Sequence, residues 1–383
     1  MKDINDFTIS FIDQVRAHYD DEFIPLHRPV FDELEKTYLN DCIDSNFVSS
    51  AGQQINEFEG KIAAFTNSKF AKSTVNGTAA LHLALHVTGV GAGHEVITQR
   101  VSFVATANAI RYCNAEPVFL DVERETGTMC PLLLRTFLQN QTKKEADYRV
   151  NIRSGRRVSA CVVMHTFGHP AKMLELASIC DEFNIILIED AAEALGSYSD
   201  SEHVGRYASL TTYSFNGNKI ITTGGGGCIT TNDNKLSEKI SHLSTTAKAP
   251  DKFEYFHDQL GFNYRMPNIN ACLGLAQFEK LDDILANKRS LAEMYTNFFA
   301  DSGHRFWTER SDCRANYWLN AVSFQTREQK QFFLETTNAA GIMTRPVWVL
   351  LDQLPHYSRC ETVETGASEA IYDTTVNIPS SAQ

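Results

Sequence analysis

Ile185-Ile186-Leu187-Ile188-Glu189-Asp190-Ala191-Ala192-Glu193 is followed, after a short interval, by Ser214-Phe215-Asn216-Gly217-Asn218-Lys219-Ile220-Ile221-Thr222-Thr223 and four glycines, Gly224 to Gly227. The first stretch reads as a buried strand, with Asp190 at its C-terminal end. That is the edge at which open α/β sheets bind ligands. Lys219 lies between a strand ending in Ser214-Phe215 and the glycine run. Consecutive glycines are costly in chain entropy, and their missing side chains permit close approach of a ligand or another backbone. A buried lysine has a lowered pKa, which suits imine formation and proton transfer. Lysine and aspartate together are what pyridoxal phosphate chemistry needs. The lysine forms a Schiff base with the aldehyde, and the aspartate keeps the pyridine nitrogen protonated so that the ring accepts electrons. Taken singly, each residue has a plainer explanation: a solvated lysine on a mobile loop, an aspartate capping the next helix. The β-branched residues beside Lys219 argue against the mobile loop. Glu193 either hydrogen-bonds the cofactor's ring oxygen or completes a helix start.

Outward from these stretches, short apolar runs alternate with amphipathic ones. Helices are expected at 79–87, 103–113 and 172–183, and strands at 94–98, 117–120, 158–164, 185–188, 211–215 and 227–230. That rhythm predicts an α/β layer with a mostly parallel central sheet flanked by helices. The continuous Val/Ile runs fit strands covered on both faces. Near Asp251 the rhythm changes. One long helix is expected over 269–286 and a second over 288–299, then a strand at 318–324 and a helix at 328–340. The expected organisation is an N-terminal segment, 1–35, packing with the small domain, a large α/β domain, 36–250, and a smaller α+β C-terminal domain, 251–383.

The chain has 383 residues, 43% of them hydrophobic, which is ample for such a core. The formal net charge is -12, without a long basic block or basic–aromatic stripe, which disfavours nucleic-acid binding. Nine scattered cysteines, with no C-x-x-C pair, read as reduced thiols in a cytoplasmic protein. The N-terminal sequence is too polar for a signal peptide, and no apolar stretch reaches the ~18 residues of a membrane span. No metal site is expected.

Weaker signals surround the pair. Asn76-Gly77-Thr78-Ala79 opens an amphipathic helix whose free amides make an anion site, although capping alone explains the residues. No Gly-Lys-Ser/Thr follows it, and no G-x-G-x-x-G follows an early strand, which disfavours nucleotide-phosphate and dinucleotide loops. Phe103 either stacks on a cofactor ring or belongs to the core. His165 ends the strand VSACVVMH, at the ligand edge, and reads equally as a structural histidine.

In this order, FVSSAGQQINEFE, VNGTAALHLAL, VSFVATANAI, HTFGHPA, IEDAAEALGS, YSFNGNKIITTGGGG and LGFNYRMPNINACLG resemble the DegT/DnrJ/EryC1/StrS sugar aminotransferases, a branch of the fold-type I pyridoxal phosphate enzymes. The resemblance runs from about Pro29 to Ser380. It implies that Lys219 is the Schiff-base lysine, Asp190 the partner of the pyridine nitrogen, Glu193 a neighbour of the ring hydroxyl and Phe103 the stacking aromatic. It places Thr78, Ala79 and Ser214 in the phosphate cradle and His165 near the cofactor. It also implies a homodimer, in which Asn263 reaches the phosphate of the neighbouring subunit.

Relatives with histidine at the lysine position are dehydratases, and Lys219 is intact here. Asn216 and Gly225 depart from the family's commoner residues and mark the substrate subgroup as the open point. The segments FVSSAGQQINEFE and NGNKIITTGGGG look most like enzymes aminating C4 of UDP-linked 4-keto-6-deoxy-N-acetylhexosamines for bacterial surface glycans, with glutamate as amino donor. The sugar pocket is expected around His27, Asn216 and Trp348. The competing readings are a 4-keto sugar dehydratase and a non-catalytic nucleotide-sugar-binding protein.

Overall fold

The computed structural model describes residues 4–383; residues 1–3 of the expected N-terminal segment lie outside the described residues. The chain begins with α1 (Ile4–His18), α2 (Glu33–Asp44) and α3 (Gln53–Phe65). A capping box formed by Asp32 and Glu35 starts α2. The alternating part follows: β1 (Phe70–Thr74), α4 (Gly77–Val87), β2 (His94–Gln99), α5 (Val104–Tyr112), β3 (Glu116–Leu120) and α6 (Pro131–Asn140). A hairpin of β4 (Thr142–Glu145) and β5 (Tyr148–Asn151) leads to β6 (Arg157–Met164), α7 (Met173–Glu182) and β7 (Ile186–Asp190). Next come β8 (Tyr198–Ser199), β9 (Glu202–His203), β10 (Leu210–Ser214), β11 (Gly227–Thr231) and α8 (Asn234–Ser244). The C-terminal part holds α9 (Asn268–Glu279), α10 (Leu281–Phe299), β12 (Arg305–Phe306), β13 (Cys313–Arg314), β14 (Asn320–Ser323) and α11 (Arg327–Ala339). It ends with β15 (Arg345–Pro346), β16 (Thr362–Val363), α12 (Ala367–Thr374) and β17 (Thr375–Ile378).

The main sheet runs β1-β11-β10-β7-β6-β2-β3-β16. Every pairing from β10 to β16 is parallel, and β11 is antiparallel to both its neighbours. This is the expected α/β class with a mostly parallel central sheet. Side-chain alternation explains the continuous apolar runs within β6 and β7. Ala160, Val162 and Ile188 enter the core that α4 and α5 cover, while Cys161, Val163 and Leu187 enter the core beneath α6 and α7.

A second sheet, β12-β14-β17-β15, packs against an aromatic cluster in which Phe7 and Phe11 of α1 meet Tyr295 and Phe299 of α10 and Phe333 of α11. Helix α9 packs on α2 and α3, and β16 pairs with β3 at the edge of the main sheet. Arg100, 1% exposed, ties that returning segment down. It makes two 2.9 Å hydrogen bonds to Asp352 and a 2.7 Å ion pair with Glu369.

One expectation is corrected. The helix expected over 269–286 is interrupted at Lys280, whose φ of -99° and ψ of 1° leave the helical region. The segment expected as a second helix, 288–299, is the continuation of α10 across Leu281–Phe299. No Gly or Pro marks the break. The Lys280 side chain is instead drawn to the start of α2, where it pairs with Asp32 at 3.2 Å and with Glu35.

Candidate active site

The sheet topology brings three unrelated pieces of sequence to one place. Thr74, at the end of β1, and Ser214, at the end of β10, both pair with Gly227 at the start of the antiparallel β11. Helix α4 begins just after β1, with the Asn76 side chain accepting from the Ala79 N–H at 2.8 Å. The backbones here are closely packed. A Cβ on Gly227 would stand 2.6 Å from the Asn76 carbonyl carbon, and one on Gly77 would stand 2.9 Å from Ser214 Cβ. The first-turn amides of Gly77 and Thr78 and the Ser214 hydroxyl therefore converge at the N-terminus of an 11-residue helix, a ready anion site. Ala79 is also here, but its amide serves the helix cap.

Beside this cradle opens a cavity of about 340 Å³, lined among others by Thr78, Phe103, Asp190, Glu193, Ser214 and Lys219. Asp190 is 3% exposed at the end of β7. Its carboxylate accepts from Thr106 Oγ1 at 2.7 Å and from the Ala192 N–H at 3.2 Å. Burial raises its pKa, against the hydrogen bonds from Thr106 and Ala192 and the nearby Lys219 charge. No salt-bridge partner holds it among the described residues, so the site presents a buried carboxylate to whatever occupies the cavity.

Lys219 Nζ lies 3.6 Å from Glu193 Oε1 and 3.7 Å from the centroid of the Trp318 ring. Burial pushes the Lys219 amine down and the Glu193 carboxyl up, and their mutual attraction opposes both shifts. The other Glu193 oxygen accepts from the Phe167 N–H at 2.9 Å. Phe167 adopts a φ of 58°, a left-handed conformation that costs a bulky residue ~1–3 kcal/mol.

Phe103 is the N-cap residue of α5 and is 50% exposed at the cavity wall. Trp348 lines the cavity with it, their rings 6.3 Å apart, and packs on Phe167 at 5.2 Å. Asn216 also lines the cavity, its side-chain amide 3.4 Å from Asn218 Oδ1. Gly225 has room for a side chain, since a Cβ there would meet only the Val75 carbonyl, at 3.8 Å.

Besides Ala79, three expected residues stand apart from the cavity lining. His165 is fully buried behind Asp190. Its Nδ1 accepts from the Ala171 N–H at 3.0 Å, so its proton sits on Nε2, 2.9 Å from Glu189. His27 has both ring nitrogens buried without a partner, and burial followed by the charges of Lys288 and Lys219 holds its pKa well below the ordinary value. Asn263 is exposed and bridges Thr245 through the backbone, away from this chain's own cavity. Sequence reasoning missed Thr106, which holds Asp190, and Trp318, which faces Lys219. Thr106 sits one helical turn after Phe103, in the same stretch VSFVATANAI. Trp318 lies 99 positions beyond Lys219, and only the tertiary fold brings it there.

The cradle, the cation-less buried carboxylate and the buried lysine fit pyridoxal phosphate. Fold and site define a fold-type I pyridoxal phosphate enzyme. Residues 29–383 match the model of the DegT/DnrJ/EryC1/StrS aminotransferase family, and the chain belongs to that family. It is 36% identical over 337 residues to a GDP-perosamine synthase of Escherichia coli O157:H7, covering 88% of each chain. It is 34% identical over 363 residues to a GDP-perosamine synthase of Vibrio cholerae, covering 93% of this chain and 94% of the other. Among solved structures, the aminotransferase TlmJ from Streptoalloteichus hindustanus superposes with a TM-score of 0.84 at 24% identity, covering 93% of both chains. The protein is thus a sugar aminotransferase.

Proposed function

We propose that the chain transfers an amino group from glutamate to C4 of a nucleotide-diphosphate-linked 4-keto-6-deoxy sugar. The observation that carries this reading is the Lys219 amine, buried at the cavity wall between Glu193 and Trp318, with Asp190 lining the same cavity. Bound pyridoxal phosphate supplies an aldehyde that accepts and returns the amino group and a ring that accepts electrons.

Asp190, held by Thr106 and the Ala192 amide, places a fixed negative charge for the ring nitrogen. With the cofactor bound, Lys219 Nζ would pass a proton from the amino donor's Cα to the cofactor in one half-reaction and from the cofactor to sugar C4 in the other. One amine serves both directions because its pKa is lowered by burial. Glu193, 3.6 Å away, attracts that amine when it is protonated. Gly77, Thr78 and Ser214 hold the phosphate, and Phe103 covers the ring. Asn216 and Trp348, which line the cavity, border the sugar. Asn263, exposed on the surface, reaches the phosphate of a second copy of the chain, in a homodimer.

For the nucleotide, the GDP-perosamine synthase relatives favour guanosine diphosphate, whereas the quoted segments favour a UDP-linked N-acetylhexosamine. All nine cysteines are free, and no helix among the described residues is long and apolar enough to cross a membrane.

The purified protein is expected to show a visible absorbance band that glutamate bleaches, with 2-oxoglutarate released. Product analysis on a panel of GDP-, UDP- and dTDP-linked 4-keto-6-deoxy sugars then identifies the acceptor as the one aminated fastest. A ketone product without an amino sugar would establish the dehydratase instead, and an unbleached band would refute transamination from glutamate.

The cradle has its own test. Gly227→Ala places a methyl group against backbone that cannot rotate away, at a cost of ~1–3 kcal/mol. We expect pyridoxal phosphate affinity to fall tenfold or more, for about 1.4 kcal/mol. Spectral titration checks it. Gly225→Ala, with open space, should bind as the parent does.

A further inference from the structure

Trp318 is absent from the roles above, yet its indole is the nearest aromatic surface to the reactive amine. Trp318 is held at three points, one on its indole and two on its main chain. Its Nε1–H donates to the carbonyl of Asn218, the residue directly before Lys219, at 2.6 Å. Its main-chain N–H donates to Asn316 Oδ1 at 2.8 Å. Its carbonyl accepts from the fully buried Lys288 Nζ at 3.1 Å. Asn316 in turn donates to the carbonyl of Glu193 at 2.8 Å. The same side chain therefore fixes the backbone entering Lys219 and faces that lysine's amine at 3.7 Å.

Glu193 does not fix the amine by itself. Its 3.6 Å separation exceeds the ~2.7–2.9 Å of a charge-assisted hydrogen bond, and its second oxygen is committed to Phe167. An indole face attracts an ammonium through its ring quadrupole, most strongly where water is excluded. The Lys219 side chain is only 13% exposed.

We infer that Trp318 is a positioning residue: its indole face is the seat to which the Lys219 amine returns whenever that amine is free, and it stabilises the ammonium form there. The groups facing the amine are Glu193 and Asp190, which also favour its charge, while His27 lies close enough to feel it. The inference rests on Lys219 being the reactive amine of the proposed function, but its test does not depend on turnover.

The full-length protein loaded with pyridoxamine phosphate leaves Lys219 free. Brief labelling with acetic anhydride across pH, read on the Lys219 peptide by mass spectrometry, gives the pH at which half the amine is neutral. Trp318→Leu removes the ring face, so the ammonium loses a stabiliser and the half-point should move to lower pH by about 0.5–1 unit. Trp318→Phe should move it by less than half as much. Labelling of an exposed lysine, Lys36, should be unchanged in both. A half-point in Trp318→Leu equal to that of the parent overturns the inference.

A second measurement covers loss of folding in the variants. In the otherwise unaltered protein grown with 5-fluorotryptophan, one of the three tryptophan resonances should titrate with the Lys219 half-point. The absence of any resonance moving at that pH overturns the inference equally. Should no sugar be aminated while the half-point still shifts, the proposed reaction fails and the seat stands.

Discussion

Lys219→Ala is expected to lower kcat for amino transfer by about 1,000-fold or more, since it removes the group that moves the proton in both half-reactions. Borohydride treatment should fix the cofactor covalently to the parent protein and leave the variant unmodified, as read by intact mass. Turnover near the parental rate would refute the assignment. Stability should move the other way. Burial lowers the amine's pKa in the folded state, below the ordinary value of 10.5. The unfolded chain then binds the proton more tightly. The resulting cost is fully present below the lowered folded-state pKa and disappears as pH rises to the unfolded value. At neutral pH the cofactor-free variant is therefore expected to melt at or above the temperature of the cofactor-free parent. A catalytic group that destabilises its own fold is a familiar trade between stability and activity.

Asp190→Asn is expected to cut kcat by about 100-fold or more, with a much smaller change in KM. Asparagine keeps the shape and the bond from Thr106 but places no charge at the cavity wall. The linkage again gives a second readout. Burial raises the Asp190 pKa above its ordinary 3.8, so the folded state binds the proton more tightly. The stability this carboxyl lends at low pH is lost as pH rises through the unfolded value and up to the raised one. The cofactor-free variant should consequently be no less stable than the parent near neutrality. The extra stability gained on adding pyridoxal phosphate should shrink, because ligand stabilisation follows affinity. Melting curves with and without cofactor measure both. A variant with parental kcat would sink the electron-sink role.

The strands that build the ligand edge were legible because burial on both faces leaves an unbroken apolar signature. The runs at 158–164 and 185–188 became β6 and β7, with Asp190 at the end of the latter. The helix opened by Asn76 was legible from its capping residue and apolar periodicity. The interruption at Lys280 was not, since no Gly or Pro marks it and the partners of the Lys280 side chain, Asp32 and Glu35, lie far back in the chain, Asp32 by 248 positions. The β4–β5 hairpin was missed for a related reason: Thr142-Lys143-Lys144-Glu145 is polar, and its pairing is imposed by β6 alongside.

At the site, Lys219 and Asp190 could be read because each sits at a strand end next to unusual composition. Trp318 could not, because a tryptophan in an apolar stretch looks like core, and its meaning lies in the amine it faces. Asn216 and Trp348 meet at the cavity only in the folded chain, where distant segments assemble its lining.

The pairing of β16 with β3 also bears on how the protein is made. During synthesis β3 leaves the ribosome some 240 residues ahead of Thr362, counting from Leu120. Until that late strand arrives, one flank of the nascent sheet is an open row of amides and carbonyls, which invites pairing with another chain. A truncation that removes the last 25 residues, beginning after Ser358, would leave that flank open permanently. Such a chain should appear in the insoluble fraction even though Lys219 and Asp190 have both been translated.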